Sequence, residues 1–317
     1  MSLESKHKPF FAPGWRLAAK RPWLLIRSTI LQAIRTFFLA RDYLEVETPL
    51  LIPAPAPELH IDAVPAGNLF LHTSPELCMK RLLASGFEKI FQVCRCFREG
   101  ERGNTHLPEF TLLEWYRAKA DYLDLMGECE EMLLHISAAL GLGEKLSYQR
   151  REIDLRRPWD RIKVRDALQR FGGVSMEQAM LSGSFDEIMV TRVEPNLGFP
   201  KPTFLSDYPS SLAALARTKR GEPQSAERFE LYIAGLELAN AFSELTDAEE
   251  QRRRFERERE ERMRLGKRLY PLPEKFLEAL PFMPESAGIA LGVDRLVMIF
   301  SDQNTIDPVV TFTPEEL

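Results

Sequence analysis

The 317-residue chain has no apolar run approaching the roughly 18 residues that a membrane span needs. Its first twenty residues are mixed, aromatic and basic, without a signal-peptide core, so a cytoplasmic protein is expected. It has no GxxxxGK[ST] loop and no GxGxxG after a strand, which excludes the two common glycine-rich ways of holding phosphate. Positive charge is not in excess. A net charge of −5 excludes wholesale attraction to nucleic acid, though a local basic patch remains compatible with it. The only cysteines are Cys78, Cys94, Cys96 and Cys129, and none forms a CxxC pair. Cys94 and Cys96, two apart on an expected strand, share a face but cannot easily bond to each other. A zinc site would want more ligands than the nearby His72 and His106 supply. The thiols are therefore expected to be buried or half-buried and reduced. Internal repeats and low-complexity tracts are also absent.

What is present is ordinary globular material, 44% apolar and 28% charged, enough for a sizeable core. Helical periodicity runs from Trp23 to Arg41, with Leu24, Leu25, Ile30, Leu31, Ile34, Phe37 and Phe38 on one side, and breaks at Asp42 and Tyr43. Leu44 to Thr48 alternates like a strand and stops at Pro49; a proline-rich connector covers Pro53 to Pro57. Ser74–Pro75–Glu76 opens a helix that ends near Ala84 and is closed by Gly86. Leu123 to Leu140 reads as an amphipathic helix closed by Gly141 and Gly143. Residues 150–190 read as a helical insertion. Its basic cluster of Arg150, Arg151, Arg156 and Arg157 is either a docking patch or, the favoured reading, a solvated face. Strands are expected near residues 202–205 and 229–233, and Glu249 to Leu265 is a helix of alternating charge, read as solvated. Gly288 to Phe300 is a strand entering an apolar helix. Helices interspersed with antiparallel-looking strands, without βαβ units, predict an α+β fold. Residues 1–21 are expected to form an arm and 22–317 one domain with the insertion.

The most informative stretch is Phe97 to Tyr116, FREGERGNTHLPEFTLLEWY. It is a strand–loop–strand hairpin whose mouth carries a cation, a ring and carboxylates. Arg98 at a strand end and Arg295 at a strand–helix junction are guanidinium forks suited to phosphate oxygens. Glu230 and Glu237 flank an Ala234–Gly235 turn, and on paired strands both can face one site and hold Mg²⁺. Glu114 and Glu244 lie in the apolar segments LLEWY and NAFSEL, where an unpaired carboxylate is expensive to bury. With the Tyr116 hydroxyl they would make an anionic pocket for an ammonium group, unless each pairs with a structural arginine.

These segments resemble a known family. FREGERGNTHLPEFTLLEWY is similar to motif 2 of class II aminoacyl-tRNA synthetases, GIALGVDRL to motif 3, and Leu24 to Pro49 to motif 1, the dimer-forming helix and strand. HLPEFTLLEWY and LELANAFSELTDAEEQRRRF point to the lysyl branch. The resemblance covers about residues 22–300. It implies a class II antiparallel sheet flanked by helices, an AMP-forming ligase using ATP and Mg²⁺, and a homodimer.

By the same resemblance, Arg98 would grip the α-phosphate and the amino-acid carboxylate. Phe110 would stack on adenine, Arg295 would hold the γ-phosphate, and Gly292 would lie against ATP. Glu99, Gly100, Glu101, His106, Leu107, Glu237 and Leu238 would complete the ATP site, and Glu230 and Glu237 would bind magnesium. Glu114, Tyr116 and Glu244 would grip the distal amine of a lysine-like substrate. Asn240, Phe242 and Ala290 would line its pocket, and Ser74, Pro75 and Glu76 would help to hold the α- or β-amine.

Three departures shape the expectation. Only about 22 residues precede motif 1, too few for the family's anticodon-binding barrel. Ala290 replaces the family's glycine, and a methyl in an amino-acid site is worth roughly 1–3 kcal/mol of discrimination. Leu107 and Gly100 replace an asparagine and a glutamate near adenine. The first two resemble lysyl-tRNA synthetase paralogues that ligate (R)-β-lysine to a lysine of elongation factor P. Charging tRNA with α-lysine is the alternative.

Overall fold

The computed structural model describes residues 15–317. Of the expected N-terminal arm, residues 1–14 lie outside the described part. Residues 15–21 instead open helix α1, Trp15–Leu39, which carries Pro22 inside it. Leucine, isoleucine and phenylalanine recur along one side of α1, burying Ile30, Ile34, Phe37 and Phe38. Asp42, at a positive φ of 62°, turns the chain out of the helix.

The sheet has eight strands: β1 Leu44–Glu45, β2 Lys89–Phe97, β3 Glu109–Ala118, β4 Asp160–Lys163, β5 Thr203–Pro209, β6 Ser225–Ile233, β7 Leu236–Ser243 and β8 Ser286–Gly292. Their order is β1-β2-β3-β8-β7-β6-β5-β4. All neighbours pair antiparallel except β1 with β2 and β4 with β5 at the two edges. The fold is thus α+β, a large mixed sheet flanked by helices.

One face packs on α1, on α3 (Tyr122–Ala139) and on the last long helix, α6 (Val293–Phe300), forming the main core around Phe91, Trp115, Phe229 and Ile289. The other face is covered only at its ends. At one end, α2 (Glu76–Ala84), α4 (Ala248–Arg264) and α5 (Glu274–Ala279) pack on Ile90 and Tyr116. At the other end, short helices within residues 164–196 pack on Leu205, Tyr208 and Tyr232. A valley remains between them.

The helical stretch begins later than the sequence suggests. Residues 145–154 form a two-stranded hairpin and β4 joins the main sheet before the first short helix. The four arginines of the basic cluster are exposed, as a solvated face; Arg156 pairs with Asp154, and Arg157 with Glu130 and Glu131. The charged helix α4 departs from the solvated reading at one position. Its Glu250 pairs with Arg253 and Arg254 on the outside. Arg262, however, is fully buried and donates to the carbonyls of Glu58, Ile61 and Arg268 and to Asp62. Alternating charge gives no hint that one guanidinium turns inward to fasten a loop.

Helix α1 is fastened across the sheet by a buried polar knot. Asp294 Oδ1 accepts from Arg27 Nη1 at 2.5 Å, and Oδ2 from the Thr111 amide at 2.7 Å; Arg27 Nη2 donates to Thr111 Oγ1 at 2.7 Å. Removing one member of such a pair strands a buried charge. Asp294→Ala is expected to cost about 3–5 kcal/mol in denaturant unfolding. Arg295, beside it on α6, should lose its place with it. A loss under 1 kcal/mol would show that the knot is incidental.

Candidate active site

A cavity of about 430 Å³ occupies the valley. The register of the sheet builds its floor. Gln92 on β2 pairs with Glu114 on β3, Glu114 with Ala290 on β8, Ala290 with Asn240 on β7, and Asn240 with Glu230 on β6. Successive residues of a strand point to opposite faces, so partners in one row share a face. The next row holds Tyr116, Gly288, Phe242 and Arg228. Gly288 has no alternative there, because a Cβ would run into the Tyr116 ring and Glu244 Oε1.

Glu237 would point away from this face by simple alternation from Asn240. The Ala234–Gly235 turn, both residues at positive φ, is followed by a register shift that skips Leu238 and pairs Glu237 with Tyr232. The bulge re-aims Glu237 into the valley beside Glu230.

At one end of the cavity is an acidic chamber. Glu114 is fully buried; Ser74 Oγ donates to its Oε1 at 2.6 Å and Tyr116 Oη to its Oε2 at 2.8 Å. Ser74 also accepts from the Glu76 amide at 3.0 Å, so one hydroxyl both fastens the start of α2 and holds Glu114. Glu244 is buried behind the cavity wall rather than on it. The Lys80 ammonium sits against its Oε2 and also bonds Glu76 at 2.6 Å, while Glu244 Oε1 has no hydrogen-bond partner. Where the sequence suggested a direct line from Glu244 to a substrate amine, the structure puts a buried lysine that the sequence reading missed. Glu244, helical spacing on α2 and a lysine in an apolar stretch were the available signals.

With Glu58 near Glu76, carboxylates outnumber the single Lys80 ammonium and leave this end net negative when all are ionised. Burial, and then Glu76, push the Glu114 carboxyl up to about 8. Burial likewise pushes Glu244 up to about 8, despite the opposing pull of Lys80. Burial opposes the charge on Lys80, but Glu244 and Glu76 outweigh it and raise that group.

At the other end, the cations gather. Arg98 lies 5.0 Å from the Phe110 ring centroid, and its Nε is buried without a partner. It forms an ion pair with Glu101 at 3.7 Å. Arg295 donates to the Glu237 carbonyl at 2.7 Å and meets His106 Nε2 at 2.5 Å. Burial, and then Arg295, lower His106, which keeps the imidazole neutral as Arg295's acceptor. Glu237 is pushed up to about 7 by burial and then by Glu230. Glu230 is fully engaged: Arg228 donates to it at 2.6 Å, Tyr208 at 2.5 Å and Tyr232 at 2.7 Å. Arg228 also donates to Asn240 Oδ1 at 3.0 Å.

The cavity thus brings together Ser74, Glu76, Arg98, Glu101, His106, Leu107, Phe110, Glu114, Tyr116, Glu230, Glu237, Leu238, Asn240, Phe242, Ala290, Gly292 and Arg295. Pro75, Glu99, Gly100 and Glu244 are not on its wall. Pro75 precedes α2 as its cap residue, Glu99 turns out to Arg268 at 3.7 Å, and Gly100 serves the turn at a φ of 79°. Leu107 and Leu238 reach the wall from the apolar core, which accounts for leucine at 107. Lys80, Arg228 and Glu58 are the site-region groups that sequence reasoning missed; Glu58 is pushed up to about 7 by burial and then by Glu76.

The family model for tRNA synthetases class II (D, K and N) matches residues 15–316. The chain belongs to that family. Its members use ATP and Mg²⁺, and the catalytic domain is that of an amino-acid ligase. The D, K and N alternatives differ in what the side-chain end of the amino-acid pocket must neutralise. The chamber described above is acidic.

The chamber's acids make two opposite pH dependences. Their carboxyls are raised far above the unfolded value of 4.5, so the folded, ligand-free chain holds protons that the unfolded chain has released. Ligand-free stability should therefore fall as pH rises from about 4.5 to about 8 and level off above. A diammonium ligand needs the ionised acids, so its affinity should rise over the upper part of the same window. Glu114→Gln should lessen both effects and leave the share that Glu244 carries. Melting temperature against pH, with and without a diamino acid, checks this; equal slopes in wild type and variant would refute it.

Proposed function

We propose that this family member activates (R)-β-lysine with ATP and transfers it to the ε-amine of a lysine on elongation factor P, in the cytoplasm. The observation that carries the reading is the charge of the chamber. Glu58, Glu76 and Glu114 on the wall, with Glu244 buried behind it against Lys80, make this end of the cavity net negative, the sign that the ammonium groups of a diamino acid would neutralise. The Ala290 methyl, between Glu114 and Asn240 in the floor row, shortens the chamber where the α-amine of lysine would lie and favours an amine moved one carbon.

The substrate carboxylate would lie toward Arg98, whose unpartnered Nε suits an anion. Phe110 would offer its ring to adenine once Arg98 turns to the phosphates, and Arg295 would meet the terminal phosphate. Glu237 has a carboxylate available for magnesium, with Glu230 beside it; the rise of Glu237, from burial and then from Glu230, fits a cation between it and phosphate oxygens. Bound magnesium would neutralise charge on the leaving pyrophosphate.

In the first step a carboxylate oxygen attacks the α-phosphorus and the bond to pyrophosphate breaks. In the second the acceptor amine attacks the acyl carbon, AMP leaves with the bonding pair, and the amine gives up a proton. The chain's contribution is positional and electrostatic. Two copies would pair through α1 and β1, where Leu25, Leu39 and Leu44 are exposed.

Pyrophosphate exchange measured in parallel with α-lysine, (R)-β-lysine and (S)-β-lysine should favour (R)-β-lysine. Ala290→Gly should shift the ratio toward α-lysine by about 10–200-fold. Purified elongation factor P should be acylated and total tRNA should not. Efficient charging of tRNA with α-lysine would replace the proposal with its alternative.

A further inference from the structure

One cluster of donor atoms has no part in that reaction. His72 follows the short strand Leu69–Leu71, and Cys94 and Cys96 stand two apart on β2. Their donor atoms all lie within 4.8 Å of one another. The two Sγ atoms are 3.8 Å apart, and Cys96 Sγ is 3.8 Å from His72 Nε2. Two thiolates bound at about 2.3 Å to one tetrahedral cation stand about 3.8 Å apart, so the sulfurs already occupy the edge of such a site. A disulfide would need about 2.05 Å between them. His72 and Cys96 are buried and Cys94 is half-buried. Nothing in the acid and arginine network of the active site bonds to these sulfurs. His72 Nε2 rests on the Arg95 carbonyl at 2.6 Å, a hydrogen bond that a cation at the same nitrogen would replace.

We propose that His72, Cys94 and Cys96 form a site for a thiophilic d¹⁰ cation, zinc above all, with the fourth position left to water. Two sulfurs and an imidazole select zinc over magnesium, so this site and the oxygen-lined Glu230–Glu237 pair do not compete for one metal. On binding, the two thiols release their protons to solvent and the imidazole carries its proton on Nδ1, so two thiolates balance the dication. The cation would fasten two parts of the active-site wall. Ser74, which holds Glu114, is two residues beyond His72. Cys94 and Cys96 lie opposite Leu112 and Phe110 in register, and the Phe97 amide donates to the His72 carbonyl at 3.0 Å. The site therefore links the Ser74 loop to the strand pair that carries Phe110.

The test uses the reduced, chelator-stripped full chain with zinc and cobalt(II) alone, without ATP or amino acid, so it stands or falls apart from the proposed reaction. Wild type should retain one zinc per chain through desalting. Cobalt should give a thiolate-to-metal charge-transfer band, and zinc should protect the half-buried Cys94 from a thiol reagent. His72→Ala, Cys94→Ser and Cys96→Ser should each bind zinc more than about 10-fold more weakly, with the two serine variants also weakening the band per bound cobalt, while Cys78→Ser should bind as wild type does. Cys94→Ser, at the half-buried position, tests the site with the core intact, and circular dichroism verifies its fold. Failure of wild type to hold zinc, cobalt spectra without a thiolate band, or unchanged affinity in a folded Cys94→Ser would each overturn the site.

Discussion

Everything at the active site rests on the register of five antiparallel strands. Because side chains alternate faces, a single in-register row sets Gln92, Glu114, Ala290, Asn240 and Glu230 side by side. A slip of one residue anywhere would send its member into the apolar core on the other face. That core, led by Trp115, Phe229 and Ile289, is what forbids the slip. The packing that stabilises the sheet and the placement of the polar site are thus one constraint, seen from the sheet's two sides.

The site is held in tension by charge separation. Acids gather under α2 and Phe242; arginines gather at the hairpin mouth and at the start of α6. Each group is incompletely answered by the protein: Glu244 Oε1 and Arg98 Nε are both buried without partners. Leaving such groups unmade costs stability. Such cost is tolerated where a ligand supplies the missing partners. Lys80 tempers the acidic end by pairing with Glu244 and Glu76.

Beyond the site, buried polar knots do the fastening. Arg27, Thr111 and Asp294 pin α1 under the sheet. Arg262 reaches from a helix of exposed charges to the carbonyls of residues 58 and 61, which border the cavity. Both knots make a guanidinium serve several acceptors at once, which suits its fixed fork of donors.

Much of this was legible in the chain. The helix of Trp23 to Arg41, the hairpin of Phe97 to Tyr116 and the strand-to-helix passage at Gly288 to Phe300 follow from apolar periodicity and turn residues, because local patterning determines which segments are helix or strand and which face turns inward. The acids in LLEWY and NAFSEL declared themselves by their apolar neighbours. What the chain alone did not decide is pairing at a distance. Lys80 is a surface-like lysine until α2 is laid against Glu244, and Arg262 is one arginine among many until a loop 200 residues away arrives. Glu237 reaches its face only through a bulge. His72 meets the two cysteines only once its strand is folded beside β2. These outcomes depend on which elements meet and at what register, an energy summed over the whole core, and no window of sequence contains it.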